Sequence, residues 1–437
     1  MATSSHSPLI TTVVVATIAI LITPSTATAT TPPPFTRIFA FGDSFTDTGN
    51  TRSATGPSGF NYVSNPPYGM TFFHHPTNRY SDGRLVIDFV ASSLALPFLP
   101  PYGHLNRSDE VASAGARWKS KSAPGSSKLT NNAGASGTNA PTPSTIAGAS
   151  TTRKTDSNVG ARNESGGVNF AVGGSTAIEH RFFVKKNLSF DMTPESLGTQ
   201  LRWFEEYAKG KGCEKGWKQG SECMRFFENS LFWVGEIGAN DYAYAAFGSV
   251  PQSVVQRLAI KRITSFLEVL LQKYAKYVVV QGLPPTGCLT LSMFLAPSVD
   301  RDNLGCVNAS NQLSQSHNAL LQAKLQSFRK QYPHTVILYA DYWSSYASII
   351  KNARKHGFTE PFKACCGSGG GDYNFAPFEA CGSPTASACK DPSKYINWDG
   401  VHLTEAMYKV VADSFLHRNY THPSFDYLLM RRKRQHV

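Results

Sequence analysis

The sequence predicts an α/β fold whose mostly parallel sheet is covered by helices. Two observations carry this. Short apolar runs alternate with longer stretches of helical period. Each apolar run ends in Gly-, Asp- or Asn-rich sequence, as strands do where they feed loops at one edge of a sheet. In chain order the expected strands are residues 38–41, 167–171, 230–235, 277–281 and 335–339, about five in all. Between them Leu197, Leu201 and Phe204 recur at i, i+4 and i+7 and give a helix one apolar face. Residues 254–274 and 311–331 predict two longer helices. A last one runs over 404–415, with Thr404 as an early helical or capping residue. The Gly-Leu-Pro-Pro-Thr-Gly at 282–287 must be a loop, because its prolines exclude helix and inner strand.

The flanks follow from composition. Residues 9–22 form an apolar run too short to span a bilayer, which needs about 20 residues. Small residues at 26–30 follow it, so residues 1–29 read as an export signal cleaved after Ala29. No later segment is long and apolar enough to span a membrane. The formal net charge of +12 invites a nucleic-acid reading. Its placement argues otherwise: residues 105–165 hold eight Lys/Arg against four Asp/Glu, and Arg431-Arg432-Lys433-Arg434 adds four more cations. The body is only mildly basic. We therefore expect a solvated basic tail over 426–437, with attraction to a cell-wall polyanion or membrane surface as the rival use. Residues 105–165, dominated by Ser, Ala, Gly, Thr and Asn, lack the apolar content to offset their ordering entropy. They predict a disordered insertion within one domain spanning 30–425.

Eight cysteines suit an oxidising compartment. Cys213 with Cys223 and Cys288 with Cys306 would staple short loops, although connectivity stays open in sequence. Zinc is disfavoured, since no Cys-x-x-Cys occurs and Cys365-Cys366 is poor spacing for a tetrahedral site. Sequons at Asn106, Asn163, Asn187, Asn308 and Asn419 are compatible with secretion, to the extracellular space, the cell wall or the vacuole.

The chemistry is concentrated at strand ends. Ser44 lies just past the run 38–41, where α/β folds place their sites. A serine becomes nucleophilic only when a base takes its proton and a third group orients that base. Asp399 and His402, three residues apart, are candidates for both roles. Two glycine-rich islands, residues 166–174 and 235–242, offer donors for a developing oxyanion; Asn240 falls in the second. Either island alone also reads as a tight turn. Phosphate chemistry fits poorly: Asp43 lacks a second acid two residues on, and no Gly-Lys-Ser/Thr loop occurs. Gly-x-Ser-x-Gly is absent as well, which argues against an ordinary α/β-hydrolase.

Four stretches in order carry a resemblance: Phe-Gly-Asp-Ser-Phe-Thr-Asp-Thr-Gly-Asn at 41–50, Val-Asn-Phe-Ala-Val-Gly-Gly at 168–174, Gly-Glu-Ile-Gly-Ala-Asn-Asp-Tyr at 235–242 and Trp-Asp-Gly-Val-His-Leu-Thr-Glu-Ala at 398–406. Residues 78–84, 96–102 and 282–288 match too. Together they resemble the plant GDSL esterase/lipase family of the SGNH hydrolases, over residues 37 to about 418. The resemblance implies a flavodoxin-like three-layer α/β/α sandwich with the site at the sheet's C-terminal edge. It implies Ser44 as nucleophile and His402 as general base, then general acid, oriented by Asp399. Ser44 and Gly174 would donate backbone N–H groups to the oxyanion, and Asn240 its side chain. Gly174 is preferred to Gly173 because it lies five residues after Asn169, the offset the family's block suggests. Two departures stand out. Phe45 replaces the leucine of the family's name motif, and the insertion is either a surface loop or a retained, wrongly translated gene segment.

The expected protein is a secreted monomeric serine esterase without metal or cofactor. It would act on a small-molecule ester, an acylated metabolite or acetylated sugar rather than a triglyceride, with no nucleic-acid partner and no stable membrane insertion. Acyl transfer through the same acyl-enzyme, or a catalytically silent binding protein, are the alternatives.

Overall fold

A computed structural model describes residues 33–52, 62–105, 166–188, 193–246 and 248–434. The export signal, the insertion beyond Leu105 and the sequons Asn106 and Asn163 lie outside the described residues. Five parallel strands form the core: β1 (Arg37–Phe41), β2 (Gly167–Asn169), β3 (Ser230–Val234), β4 (Tyr277–Gln281) and β5 (Val336–Ala340). Their spatial order is β5-β4-β3-β1-β2, with the antiparallel pair Thr421–His422 added beyond β5. That sixth strand escaped the sequence reading because two residues carry no period. Strand β2 stops at Asn169, short of the expected Ala171. The Ala171 N–H turns to the Asn169 side chain at 2.9 Å, and the Asn50 amide takes the carbonyls of Asn169 and Ala171.

Strand residues alternate between two cores, as a pleat with period two requires. Phe39, Phe41, Phe232 and Val234 pack with the helices Leu197–Gly210, Gln252–Lys273 and Asn308–Gln331. Ile38, Ala40, Leu231 and Trp233 pack with Val86–Ser93, Tyr342–Lys351 and Glu405–His417. The result is a three-layer α/β/α fold. Helix Gln252–Lys273 shows why its sequence is helical: Val255, Ala259, Ile263, Phe266, Leu267 and Leu270 fall on one buried stripe. Thr404 caps the helix Glu405–His417, its hydroxyl accepting from the Met407 N–H at 3.2 Å.

The basic C-terminal stretch is not a solvated tail through its length. It forms a helix, Phe425–Arg434, that seats Phe425 and Leu428 in the core and buries Arg432 against Asn229. Phe425, Leu428 and Arg432 share one face at i, i+3 and i+7, and the run of cations masked this period. All eight cysteines are paired: Cys213–Cys223, Cys288–Cys306, Cys365–Cys389 and Cys366–Cys381. Asn187 and Asn419 are exposed, and Asn308 is half-buried at a helix start. Among the described residues no helix is long and apolar enough to cross a membrane.

Strand order reverses at β1, which lies between β2 and β3. In open parallel sheets the crevice at such a switch point is where ligands bind, outside the carboxyl ends of the strands. Ser44 leaves β1 at this place.

Candidate active site

The turn after β1 is built to place one serine at the strand end. Gly42 has φ of +142°, a conformation that L side chains rarely adopt, and a Cβ there would meet the Glu236 carbonyl at 3.2 Å. Gln200 clamps this glycine from the neighbouring helix. Its amide donates to the Gly42 carbonyl at 2.7 Å and its oxygen accepts from the Gly42 N–H at 3.0 Å. The same amide reaches the Ser175 hydroxyl, tying the serine turn to the end of the first glycine island. Asn169 adds another tie, donating from its side chain to the Thr46 carbonyl.

Ser44, His402 and Asp399 come together from opposite ends of the chain. His402 Nε2 lies 2.7 Å from Ser44 Oγ. His402 Nδ1 lies 2.9 and 3.0 Å from the two oxygens of Asp399. All three are buried, Ser44 keeping 6% of its surface. Asp399 also accepts from the N–H groups of Val401 and His402, at 2.8 and 2.7 Å, and from the Tyr68 hydroxyl at 2.9 Å. Burial alone would raise this carboxyl, but the adjacent imidazole and these hydrogen bonds hold it below the usual aspartate value. It therefore stays an anion able to orient the ring.

Two aromatic rings pack on the imidazole. The Tyr80 ring packs on it at 4.5 Å between centroids, tilted by 31°, and Phe45 packs on it at 5.5 Å. Phe45 thus occupies the motif's usual leucine position with an aromatic contact to the base. Tyr80 is fixed through its neighbours: Arg79 makes a bidentate pair with buried Asp88 at 2.8 and 2.9 Å, and Asp82 accepts from the Glu405 N–H. The loop carrying Asp399 is pinned by paired cysteines, with the Cys366 N–H donating to the Trp398 carbonyl at 2.7 Å.

Three donors were expected around the oxyanion position. The N–H groups of Ser44 and Gly174 donate to no acceptor among the described residues. The Gly173 N–H is committed to Asp47 and Thr51, at 2.9 and 2.7 Å. Gly174, with φ of +78°, is the one left to point elsewhere. Asn240 sits in the first turn of the short helix Ala239–Ala245. Its amide nitrogen is 3.0 Å from both Asp43 Oδ2 and the Ser175 carbonyl, so its two hydrogens are engaged in this state. Turning one of them to an oxyanion means sharing or releasing one of those bonds.

Sequence reasoning did not single out Tyr68, Tyr80, Asp47, Gln200 or Glu236. Tyr80 lay inside a matched stretch, but nothing in its own spacing marked it as the platform under a histidine. Asp47 is buried and collects the N–H groups of Gly49, Asn50, Thr51 and Gly173, which rigidifies the serine loop. Among the described residues no three His, Cys, Asp or Glu side chains converge to hold a metal ion. The arrangement offers an activated serine, an oriented base and unspent backbone donors, which are the parts acyl transfer needs.

Comparison with known proteins points the same way. The model of the family described as GDSL-like lipase/acylhydrolase matches residues 38–415. A GDSL esterase/lipase of Arabidopsis thaliana is 49% identical over 98% of both chains. A second from the same plant is 36% identical over 91% of this chain and 88% of its own. Acetylajmalan esterase 2 of Rauvolfia serpentina is 34% identical over 86% of this chain and 88% of its own.

Proposed function

Since the chain belongs to the family of GDSL-like lipases and acylhydrolases and is a carboxylic ester hydrolase, we propose that it works through an acyl-enzyme on Ser44, with His402 as base and Asp399 as orienting anion. One observation carries this reading: His402 Nε2 at 2.7 Å from Ser44 Oγ while Nδ1 faces Asp399. His402 takes the Ser44 proton as Oγ attacks the ester carbonyl. The tetrahedral oxyanion receives the N–H groups of Ser44 and Gly174, and an Asn240 N–H that moves from its resting partner. His402 then returns the proton to the leaving alkoxide, which departs as an alcohol and leaves acyl-Ser44. Water attacks the acyl carbon, His402 takes its proton, and the acid is released with Ser44 restored.

The substrate is an ester with a small acyl group on a metabolite or sugar. Two things support this: the burial of Ser44, which keeps 6% of its surface, and the likeness to acetylajmalan esterase 2 of Rauvolfia serpentina. Residues 1–29 direct export, in keeping with four disulfides. The test uses a serine-directed fluorophosphonate and a panel of acetyl esters and triglyceride emulsions, on the purified chain without residues 1–29. The wild type should be labelled and Ser44→Ala should not, with acetyl esters cleaved faster than triglycerides. Labelling that survives Ser44→Ala would remove the assignment.

A further inference from the structure

Glu236 follows Gly235 at the end of β3 and is completely buried. No N–H or hydroxyl hydrogen-bonds either of its carboxyl oxygens by geometry. The side chain that faces it within reach is another acid, Asp43, the residue before the nucleophile. A hydrogen bond between two carboxyl groups exists only if one of them holds a proton. The other titratable neighbours of the pair are Asp241 from the helix Ala239–Ala245, Tyr342 from Tyr342–Lys351, Tyr408 from Glu405–His417, and Asp47 and His402 beside Asp43. Apart from the His402 imidazole, which favours the Asp43 anion, all are acids or phenols, so ionising Glu236 as well would place two anions together in a closed, low-dielectric space.

The proton can be placed. Asp43 already accepts from the Phe45 N–H at 3.1 Å and from the Asn240 amide at 3.0 Å. Glu236 has only the approach of the Ala239 N–H to favour its anion. Burial, then the charge of Asp43, then its hydrogen bond to Asp43 all push Glu236 well above the usual glutamate value. Burial also raises Asp43, but the hydrogen bonds from Glu236 and Phe45 oppose that. Glu236 is therefore the neutral donor and Asp43 the acceptor.

We propose that Glu236, as a neutral acid donating its proton to Asp43, is a positioning residue for the oxyanion hole. The proposal rests on the acyl-enzyme reading above. Asp43 grips the Asn240 amide and adjoins the Ser44 peptide, so an undiluted charge on it would oppose an oxyanion forming there. It would also hold Asn240 in its resting direction. The Glu236 proton draws part of that charge away and leaves the amide free to turn. Glu236 touches no reacting atom and acts through Asp43 and Asn240.

The test compares wild type, Glu236→Gln and Glu236→Leu on a chromogenic acetyl ester, with fluorophosphonate labelling and thermal melts in parallel. Glutamine keeps a donor toward Asp43, whereas leucine keeps bulk alone. Glu236→Gln should hold kcat within about threefold of wild type. Glu236→Leu should lose about 10- to 100-fold in kcat with KM within about threefold, as expected when transition-state stabilisation alone is removed. Wild-type kcat in the leucine variant, an equal loss in both variants, or a loss confined to KM would each overturn the proposal. If the leucine variant does not fold, infrared spectroscopy decides. Wild type at about pH 8 should show the stretch of a protonated carboxyl that Glu236→Gln lacks, and its absence from wild type refutes the assignment. Should wild type fail to label, the acyl-enzyme reading falls; should it label with no dependence on Glu236, only this inference falls.

Discussion

Gly173→Ala is a one-carbon change whose effect can be worked from the site. A Cβ on Gly173 would lie 2.5 Å from Tyr80 Cε2 and 3.0 Å from both Cζ and the hydroxyl oxygen. Carbon atoms in contact prefer about 3.5–4.0 Å, so about 1 Å of room is missing. Tyr80 cannot retreat into solvent, being 1% exposed, and its ring packs on His402 at 4.5 Å between centroids. Overpacking of this kind costs about 1–3 kcal/mol in stability. The displacement passes to the imidazole, and a misplacement of about 1 Å at a catalytic group costs roughly 10²-fold in rate. The assay is kcat on an acetyl ester with the rate of fluorophosphonate labelling, alongside a denaturant melt. We expect kcat to fall about 10- to 100-fold. Shortening the platform to Tyr80→Leu in the same chain should recover part of the loss, giving a coupling of about 1 kcal/mol or more. Gly173→Ala labelled at the wild-type rate would refute the reasoning, and so would a loss that Tyr80→Leu leaves untouched.

Asp399→Asn should keep the fold and lower kcat about 10³- to 10⁴-fold, because an amide no longer fixes the histidine tautomer; activity within tenfold of wild type would remove Asp399 from the triad. Asp241 is buried, which raises its carboxyl to about 7, well above the usual aspartate value, against the N–H groups of Ile178 and Ala177. Between roughly pH 4 and 7 the unfolded chain has therefore released a proton that the native chain still holds, and this group's contribution to stability falls as pH rises across that window. Urea midpoints at both ends should show a smaller pH dependence in Asp241→Asn than in wild type; identical slopes would contradict the sign. Cys366→Ser with Cys381→Ser opens a 15-residue loop, worth about 3 kcal/mol by chain entropy. Because the Cys366 N–H holds the Trp398 carbonyl, activity should be lost at a lower temperature in the double variant, and an unchanged inactivation curve would count against the pinning role.

What sequence could reveal here follows from the range of each interaction. Strands β1, β3 and β4 were legible to within a residue, since a buried parallel strand reads as an apolar run bounded by turn residues. Ser44, His402 and Asp399 were legible through local motifs, and the structure brings them together. Thr421–His422 was not, and neither was the helix under Arg431 to Arg434, because cations on its open face concealed three contact positions. The supports of the site were hidden for a different reason. Tyr68 reaches Asp399 from 331 residues away and Gln200 reaches Gly42 from 158, so nothing in the spacing around either announces its partner. Glu236 was read as one letter of a glycine-rich turn, and its meaning depends on an acid 193 positions upstream.

Ser44 and His402 are separated by 358 positions, and that distance is also an interval of time. At about 5–20 residues per second, a ribosome releases the serine roughly 20–70 s before its base. On the proposed mechanism, Ser44 lacks its base until His402 has been made, and until then the chain would be inert toward esters. It becomes competent only when the strand that carries Ser44 has been enclosed between two later ones and the last loop has closed over it. On the same mechanism a message cut short before Asp399 would leave Ser44 without its base, so hydrolytic power would arrive late in biogenesis.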